Sequence, residues 1–436
     1  MIPNNQSFCN DTSTYVRPSS SYICNCNKFL VQDLTFERQY ATLYTSRLRI
    51  STELLQRQIN KKWGPSANVK KLCDITGDEK VVVIGTIFKH MELHPSILKE
   101  ISDEHHMVPE PVTEEYTKED DFLILEDDLQ RVVLCGNIDP QSNVTGINVA
   151  VLGYTEESGK FFVEEYCHPS VADPEIIYSP SIDKYVVLVS GFSLNGNSGI
   201  FPVQLLIDYI TGQVGGNEDQ KKFSQVVRVI IAGNSIGKEK KRSSNKSKLL
   251  ARKVKSETAE SMAILDRLIS ELVSSVSVDI MPGEFDPANH LLPQQPLHPA
   301  MFPKSSKYAT FNVVTNPYEA VIDGIRFLGS SGQNVKNIRA FSKITEPLDV
   351  MQKMLDWGHM SPTAPDSLNC YPFLNEDPFI ISQYPHVYFC GNSPKMGYRF
   401  SDNKSVMMIA IPEFQQTNCV LMLNLRTLEV QPIIVL

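Results

Sequence analysis

Four stretches of the sequence place a glycine beside small polar or acidic residues directly after a predicted buried strand. They are Ser190-Gly191-Phe192, Gly233-Asn234-Ser235, Gly283-Glu284-Phe285-Asp286 and Gly391-Asn392-Ser393. In an open α/β sheet, ligands bind at the carboxyl ends of the strands, so these residues form the candidate site. A pair of metal ions that generates hydroxide for hydrolysis needs anionic and imidazole ligands. The four stretches contain two carboxylates, Glu284 and Asp286, and no histidine.

The elements that must position these residues alternate between strand and helix. The apolar runs YVVLVSG (185–191), VVRVIIAG (226–233) and SVDIMPG (277–283) are typical of buried strands. Between them, FPVQLLIDYITGQ (201–213) and Met262 to Val276 have helical apolar spacing. This order predicts a parallel α/β core with right-handed crossovers. Further strands are predicted at 311–317, 320–332, 386–392, 405–414 and 419–425, with a helix near Asp349 to Trp357.

A different pattern precedes this core, in residues 36–170. A helix is predicted from Phe36 to Lys62, with one face formed by Phe36, Tyr40, Leu43, Tyr44 and Leu48. Short strands follow at 81–88, 122–127, 130–138, 148–155 and 161–166, with a short helix or insertion at 94–106. Short strands at this density predict a small β-barrel of the OB type. Residues 1–35 are predicted to be irregular. The sequence therefore predicts three parts: 1–35, 36–170 and 181–436.

Composition restricts the class of protein. The chain has 436 residues, of which 42% are hydrophobic and 21% are charged, as in ordinary globular proteins. No apolar run approaches the roughly 18 residues that span a bilayer, and the polar amino terminus does not resemble a signal peptide. The nine cysteines are scattered and form no CxxC pair. This pattern favours reduced thiols in an intracellular protein over a zinc site.

Charge is distributed unevenly over a chain of net charge −9. Nine acidic residues lie between Glu110 and Asp128, and nine basic residues lie between Lys238 and Lys255. For the acidic run a solvated loop is favoured. The basic run begins with Lys238, Lys240, Lys241 and Arg242, which are candidates for nuclear import or phosphate contact. A solvated, mobile surface loop is the alternative interpretation of this segment.

A proline-rich stretch, LPQQPLHPAMFP (292–303), is the candidate partner-docking loop. Its prolines recur almost every third residue, which predicts a stiff conformation near polyproline II with unpaired carbonyl groups. A rigid surface loop and a preorganised docking surface are both consistent with this pattern. The docking candidates are Pro293, Pro296, His298, Pro299 and Phe302.

The order of the four glycine-marked loops is similar to that of the calcineurin-like metallophosphoesterases. Those enzymes hold two metal ions with Asp-x-His, Gly-Asp, Gly-Asn-His-Glu/Asp and Gly-His-x-His at such loops. The resemblance places Ser190 and Phe192 at the Asp and His positions and Asn234 at the bridging aspartate. It places no histidine beside Glu284, Phe285 and Asp286, or beside Asn392 and Ser393. The implied fold is an OB barrel packed on a phosphoesterase-like β-α-β-α-β sandwich. The resemblance implies neither metal, cofactor nor catalytic residue there, and backbone amides are the expected partners of Glu284 and Asp286.

Several longer segments narrow the resemblance, among them VDIMPGEFDPANHLLPQQPLHPAMFP, VIDGIRFLGSSGQNV and SPTAPDSLNCYPF. From about Phe36 onward, the chain resembles the B-subunits of replicative DNA polymerases, and among these the small regulatory subunit of DNA polymerase delta. The resemblance implies a non-catalytic nuclear scaffold in DNA replication and repair, which contacts DNA only indirectly. Its implied partners are the carboxy-terminal cysteine module of the polymerase delta catalytic subunit, the third polymerase delta subunit and polymerase zeta.

Two other functions remain as alternatives at this stage. One is an active metal-dependent phosphodiesterase or nuclease, which the four altered loops disfavour. The other is a single-stranded-DNA-binding OB protein, a class that combines a basic groove with stacking aromatic residues. The acidic run 110–128 disfavours this second alternative, because it would repel phosphates.

Overall fold

The computed structural model describes residues 15–32, 35, 37–76, 79–94, 115–175, 180–196, 198–238 and 248–435, with the backbone alone within 248–256. The strands are β1 Tyr22–Cys24, β2 Val81–His90, β3 Phe122–Glu126, β4 Arg131–Gly136, β5 Asn148–Thr155, β6 Phe161–Cys167, β7 Tyr185–Val189, β8 Val226–Ala232, β9 Ser277–Met281, β10 Phe311–Val313, β11 Tyr318–Ile322, β12 Ile325–Ser330, β13 Val387–Ser393, β14 Gly397–Phe400, β15 Met407–Pro412, β16 Cys419–Asn424 and β17 Val430–Ile434. The helices are α1 Ala41–Lys62, α2 Ile200–Thr211, α3 Asn217–Ser224, α4 Lys248–Val273, α5 Gln333–Ala340, α6 Pro347–Asp356 and α7 Phe414–Thr417. No helix in the described ranges is long and apolar enough to cross a membrane.

Strands β2 to β6 form the expected barrel. They close in the order β2-β3-β4-β6-β5, with β4 parallel to β6 and the other neighbours antiparallel. Alternate residues along each strand point inward, so side chains such as Val83, Leu125 and Phe161 fill the interior. This is the strand order of an OB barrel. The helix or insertion predicted at 94–106 lies, apart from His94, outside the described residues.

Two six-stranded sheets form the second part of the molecule. Sheet I has the order β10-β9-β8-β7-β16-β17, and sheet II has the order β1-β11-β12-β13-β15-β14. The four strands β7 to β10 are parallel, as the alternating pattern predicts. Strand β8 is apolar over most of its length because its two faces are both covered. Val227 and Ile230 face sheet II, whereas Val229 and Ile231 face the helices α2 and α4.

Helix α4 confirms one expectation and corrects another. Its predicted apolar face is buried, since Leu265, Leu268, Ile269 and Leu272 pack on sheet I. The helix begins at Lys248, however, fourteen residues before the predicted Met262. The prediction of a loop through Lys255 is therefore wrong from Lys248 onward. Lys238 is exposed beside the ring of Phe285, whereas Lys240, Lys241 and Arg242 lie outside the described residues.

The amino-terminal strap, defined as residues 15–32, is more ordered than predicted. Strand β1 pairs with β11 in sheet II, where Tyr22 lies opposite Ile322. The Arg17 guanidinium donates hydrogen bonds to the carbonyls of Ile210 at 2.8 Å and Phe223 at 3.0 Å, near the ends of two helices. Irregular structure was thus the wrong prediction for Tyr22–Cys24, which is integral to a sheet.

The proline-rich stretch is also less exposed than predicted. Pro293 and Phe302 are buried, while His298 and Pro299 are exposed. Several backbone carbonyls are paired: that of Leu292 accepts from Tyr371 N–H at 2.8 Å, and that of Pro293 accepts from the Gln295 amide. Burial excludes Phe302 as an exposed anchor for a partner, and the prediction of unpaired carbonyls is wrong.

Helix α1 joins the barrel to the second part through a buried ion pair. Arg47 is 1% exposed, and its Nε lies 2.6 Å from Asp377 Oδ2. The same guanidinium donates to the carbonyls of Pro362 at 2.8 Å and Ala364 at 2.7 Å. The predicted helix face is only partly correct, because α1 begins at Ala41, Leu43 is buried and Tyr40 is exposed. Phe36, the first residue of the predicted helix, lies outside the described residues. Burial alone would raise the pKa of Asp377, yet Arg47 and His359 hold it well below its usual range.

His359 gives this junction a dependence on pH. Its Nε2 lies 3.0 Å from Asp377 Oδ2, and burial lowers its pKa despite that carboxylate. The unfolded chain, with a histidine pKa of about 6.5, therefore takes up a proton first as the pH falls. We expect the free energy of unfolding to fall between pH 6.5 and pH 5.5 in the wild type, and to fall by up to about 1 kcal/mol less in His359→Gln. Urea denaturation at the two pH values measures this difference.

The comparison with the wild type removes the contributions of other titrating groups, such as Asp286, whose pKa burial raises to about 6. His298→Gln, at an exposed histidine, is the matched control and should keep the wild-type dependence on pH. An unchanged pH dependence in His359→Gln would contradict the assignment of a buried neutral imidazole.

Candidate functional site

The four glycine-marked loops converge at one end of the two sheets. The Gly191 N–H donates to the Gly233 carbonyl at 3.0 Å, which joins the loops after β7 and β8. A Cβ atom on Gly283 would lie 2.2 Å from the backbone nitrogen of Asn234, and one on Gly391 would lie 2.4 Å from the Ala232 carbonyl oxygen. The loops after β8 and β9 are therefore in direct backbone contact, and so are the carboxyl ends of β8 and β13, because Gly391 to Ser393 belong to β13 and do not form a loop after it. Glycine is therefore required at positions 283 and 391, because any side chain there would collide with the backbone of a neighbouring element.

Ser190 and Phe192, in the first loop, contribute internal contacts. The Ser190 hydroxyl accepts the Asn392 N–H at 2.8 Å and donates to the Pro412 carbonyl at 3.1 Å. The Phe192 ring is buried edge-on against Phe414, with 5.6 Å between the ring centroids. The hydroxyl holds the first loop to the fourth, and the ring belongs to the apolar core.

Asn234 and Asn392 hold neighbouring loops through their side-chain amides. Both adopt positive φ angles, 52° and 50°, which asparagine tolerates better than most residues. The Asn234 Oδ1 accepts the Phe285 N–H at 3.2 Å. The Asn392 Nδ2 donates to the Ser331 carbonyl at 2.8 Å, and Ser393 binds the Lys395 carbonyl at 2.7 Å. Each of these side chains fixes a turn or joins two loops.

The two carboxylates of the third loop have different environments. Asp286 is buried, and its oxygens accept the N–H groups of Ile236 and Gly283, each at 2.8 Å. This matches the expected role as an acceptor for loop amides. Burial raises the pKa of Asp286 to about 6, although these amides oppose the shift. Glu284 is exposed and pairs with Lys336, with 2.8 Å between Oε2 and Nζ, so backbone acceptance was the wrong prediction for it.

A buried network of neutral amides lies beside these loops and was missed by the sequence analysis. The Asn316 Nδ2 lies within hydrogen-bonding distance of Gln294 Oε1 at 2.9 Å and Ser331 Oγ at 2.8 Å. The Gln294 Nε2 in turn donates to the Gly283 carbonyl at 3.0 Å. Gln294 lies within the proline-rich stretch and Asn316 precedes a proline, so neither carries a sequence signal for this role.

The donor set of the converging loops does not suit a metal pair. Asp286 already accepts a backbone N–H at each oxygen, Glu284 is paired with Lys336, and the remaining polar groups are neutral amides and hydroxyls. In the part of the chain that the structure describes, no group of three or more His, Cys, Asp or Glu residues could hold a metal ion. Two divalent cations require anionic or imidazole ligands. The polar side chains of this site instead hold the four segments together through hydrogen bonds.

Family comparisons agree with the two parts of the fold. Residues 39–166 match the family model described as the DNA polymerase delta subunit OB-fold domain. Residues 186–398 match the family model for the B-subunits of DNA polymerases alpha and epsilon. The barrel, the two-sheet α/β part and these matches define the chain as a B-subunit of a replicative DNA polymerase.

Curated relatives identify the branch of this class. The DNA polymerase delta small subunit of Arabidopsis thaliana is 40% identical over 95% of each chain. The DNA polymerase delta subunit 2 of Drosophila melanogaster is 36% identical over 92% of this chain and 94% of its own, and the small subunit of Saccharomyces cerevisiae is 31% identical over 91% and 89%. The chain belongs to the family of DNA polymerase delta small subunits. Among solved structures, an archaeal phosphodiesterase aligns with 57% of this chain at 11% identity and a TM-score of 0.31, covering 98% of its own chain.

Proposed function

We propose that this protein is a non-catalytic scaffold subunit of DNA polymerase delta. The observation that carries the proposal is the use of the candidate-site side chains. Ser190, Asn234, Asp286 and Asn392 each form a side-chain hydrogen bond with the backbone of a neighbouring loop or of their own loop, and Asn392 Oδ1 is the atom of this group that is buried without a partner among the described residues. Groups held in this way are not free to bind a metal ion or a substrate phosphate. The site geometry thus favours a structural role.

The proposal includes a specific arrangement of the chain. Residues 36–170 form the helix and OB domain, and residues 181–436 form a phosphoesterase-like domain that lacks the metal ligands of its enzymatic counterparts. Residues 1–35 form a separate amino-terminal segment, whose strand β1 contributes to sheet II. A large α/β core without an active site leaves the surrounding loops available for partners.

The proposed partners are the other polymerase subunits. The carboxy-terminal cysteine module of the catalytic subunit binds one surface, and the third subunit of polymerase delta binds another. The same scaffold also serves polymerase zeta, and it functions in the nucleus in replication and repair. A net charge of −9 provides no general attraction for DNA, so contact with DNA is made through the partners.

A stable complex with the catalytic subunit is the central prediction of this proposal. Interfaces of this kind bury well over about 1,200 Å² and depend on a few apolar and aromatic anchors. We expect the two chains to co-elute in size exclusion at about 0.5 M salt, where exposed charge pairs are largely screened. Truncation of the cysteine module of the catalytic subunit should abolish co-elution. Separate elution of the intact chains would refute the scaffold proposal.

Absence of hydrolytic activity is a second expected result. Protein purified without chelator should contain less than about one equivalent of bound transition metal, and Mn²⁺ should not support phosphodiester cleavage, because the ligand positions hold neutral groups. Elemental analysis and a nuclease assay measure these properties. Glu284→Ala is the informative variant, since Glu284 is exposed and its loss should leave the fold intact. Two equivalents of metal and a turnover that this variant abolishes would contradict the proposal.

A further inference from the structure

A groove runs beside the first turns of α1, on the surface of the molecule. It consists of two adjoining cavities of about 470 Å³ and 520 Å³, which share Leu374 and Asn375. One wall is the first half of α1, and the opposite wall is the loop 371–376. The amino-terminal strap, through residues 27–32, closes one end. We call this feature the α1 groove.

The lining of the α1 groove combines exposed apolar groups with cationic groups. Leu30 is 39% exposed and Leu374 is 45% exposed. Arg38 and Arg49 also line the groove, and neither forms an ion pair with any residue that the structure describes. Among the described residues, Glu376 is the one carboxylate of the lining.

The walls of the groove are held in place before any partner binds. The Tyr40 hydroxyl donates to the Cys370 carbonyl at 2.8 Å, and the Thr42 hydroxyl donates to the Phe373 carbonyl at 3.2 Å. The wall of α1 presents small residues, Ala41 and Thr45, which permit a close approach of another backbone. Preorganisation of this kind reduces the entropic cost of binding.

We propose that the α1 groove binds a short segment of a protein partner in which carboxylates lie beside apolar side chains. The carboxylates would pair with Arg38 and Arg49, and an apolar side chain would cover Leu374. Charge complementarity favours a negatively charged partner segment, because the unpaired charges of the groove are mainly positive. The leucines select an apolar component, because burying them gains free energy in proportion to the area covered.

A nucleic acid fits this lining less well than a peptide. Single-stranded nucleic acids bind where exposed aromatic rings stack on bases within a positively charged channel. The aromatic residues that line this groove in the described part of the chain, Tyr371 and Phe373, are buried, and Glu376 would repel a phosphate. An acidic peptide gains from both the arginines and the leucines.

The test uses the full-length protein and a defined probe. The probe is a fluorescein-labelled peptide of about twelve residues in which pairs of glutamates alternate with pairs of leucines, at about 50 mM salt, where exposed charges are weakly screened. We expect saturable binding by fluorescence anisotropy, weakened about tenfold by Arg49→Glu and by Leu374→Asp. Arg57→Glu is the matched control, because Arg57 is exposed on the same helix outside the groove. It should change the affinity by less than about twofold.

Several results would overturn the assignment. Absence of binding, or equal binding by the wild type and both groove variants, would do so. Equal affinity for a peptide with lysine in place of glutamate, or displacement of the probe by a twelve-residue oligothymidylate, would assign the site to other chemistry. Both substitutions lie at exposed positions, and unchanged melting temperatures confirm that the fold is retained. The assay requires no polymerase subunit, so its outcome is independent of the scaffold proposal.

Discussion

Replacement of Arg47 by alanine is expected to lower the free energy of unfolding by about 3–5 kcal/mol. The guanidinium is buried and connects α1 to Asp377 and to the carbonyls of Pro362 and Ala364. Its removal leaves the Asp377 carboxylate buried beside His359 without its main counter-charge. A lysine at this position should restore little, because it cannot reproduce the forked donation of a guanidinium to several acceptors.

Denaturation by urea or guanidinium chloride, followed by circular dichroism, measures this loss. Arg57→Ala provides the control, since Arg57 lies exposed on the same helix and its removal should cost less than about 0.5 kcal/mol. A loss below about 1 kcal/mol for Arg47→Ala would mean that the ion pair does not hold the helix to the second part of the chain.

Gly283→Ala is expected to lower the free energy of unfolding by nearly as much, about 3 kcal/mol or more. The added Cβ would lie 2.2 Å from the backbone nitrogen of Asn234 and 2.4 Å from its Oδ1. Backbone atoms cannot move aside as a flexible side chain can, so the loops after β8 and β9 would have to separate. Separation would also break the hydrogen bond from the Ile236 N–H, in the loop after β8, to Asp286 Oδ1 in the loop after β9.

Gly216→Ala is the matched control for Gly283→Ala. A Cβ on Gly216 would approach only Asp219 Oδ2, at 3.9 Å, and its φ of −74° is ordinary for alanine. We expect a change within about 1 kcal/mol there, measured by the same denaturation assay. Equal stability of the two variants would show that the converging loops are not closely packed.

Apolar periodicity was sufficient to locate most strands and to order the parallel core. Strand β8 is a clear case, because its apolar run and terminal glycine define both its length and its end. Polar elements were not found in this way. Helix α3 has Phe223 as its buried residue, and the first turns of α4 are rich in lysine and arginine. Strand β1 is three residues long, and it is fixed by a partner 300 positions away.

At the candidate site the residue types were informative, but their roles were not. Glu284 and Asp286 are carboxylates two positions apart in the sequence. The course of the backbone buries Asp286, which accepts backbone N–H groups, and leaves Glu284 exposed in an ion pair with Lys336. Arg47 was missed because a buried arginine breaks the apolar pattern of its helix. Its partners, Pro362, Ala364 and Asp377, are more than 300 positions away and carry no local signal.

The amino-terminal strap determines the order in which the newly made chain can fold. Strand β1 has no sheet to join until β11, about 300 residues later, has left the ribosome. At 5–20 residues per second this takes about 15–60 s. The OB barrel is complete at Cys167 and can close long before then. Throughout that interval β1 remains unpaired, and a molecular chaperone can bind it. Pairing of β1 is thus a late step of biogenesis, since it requires a chain synthesised beyond Ile322 of its 436 residues.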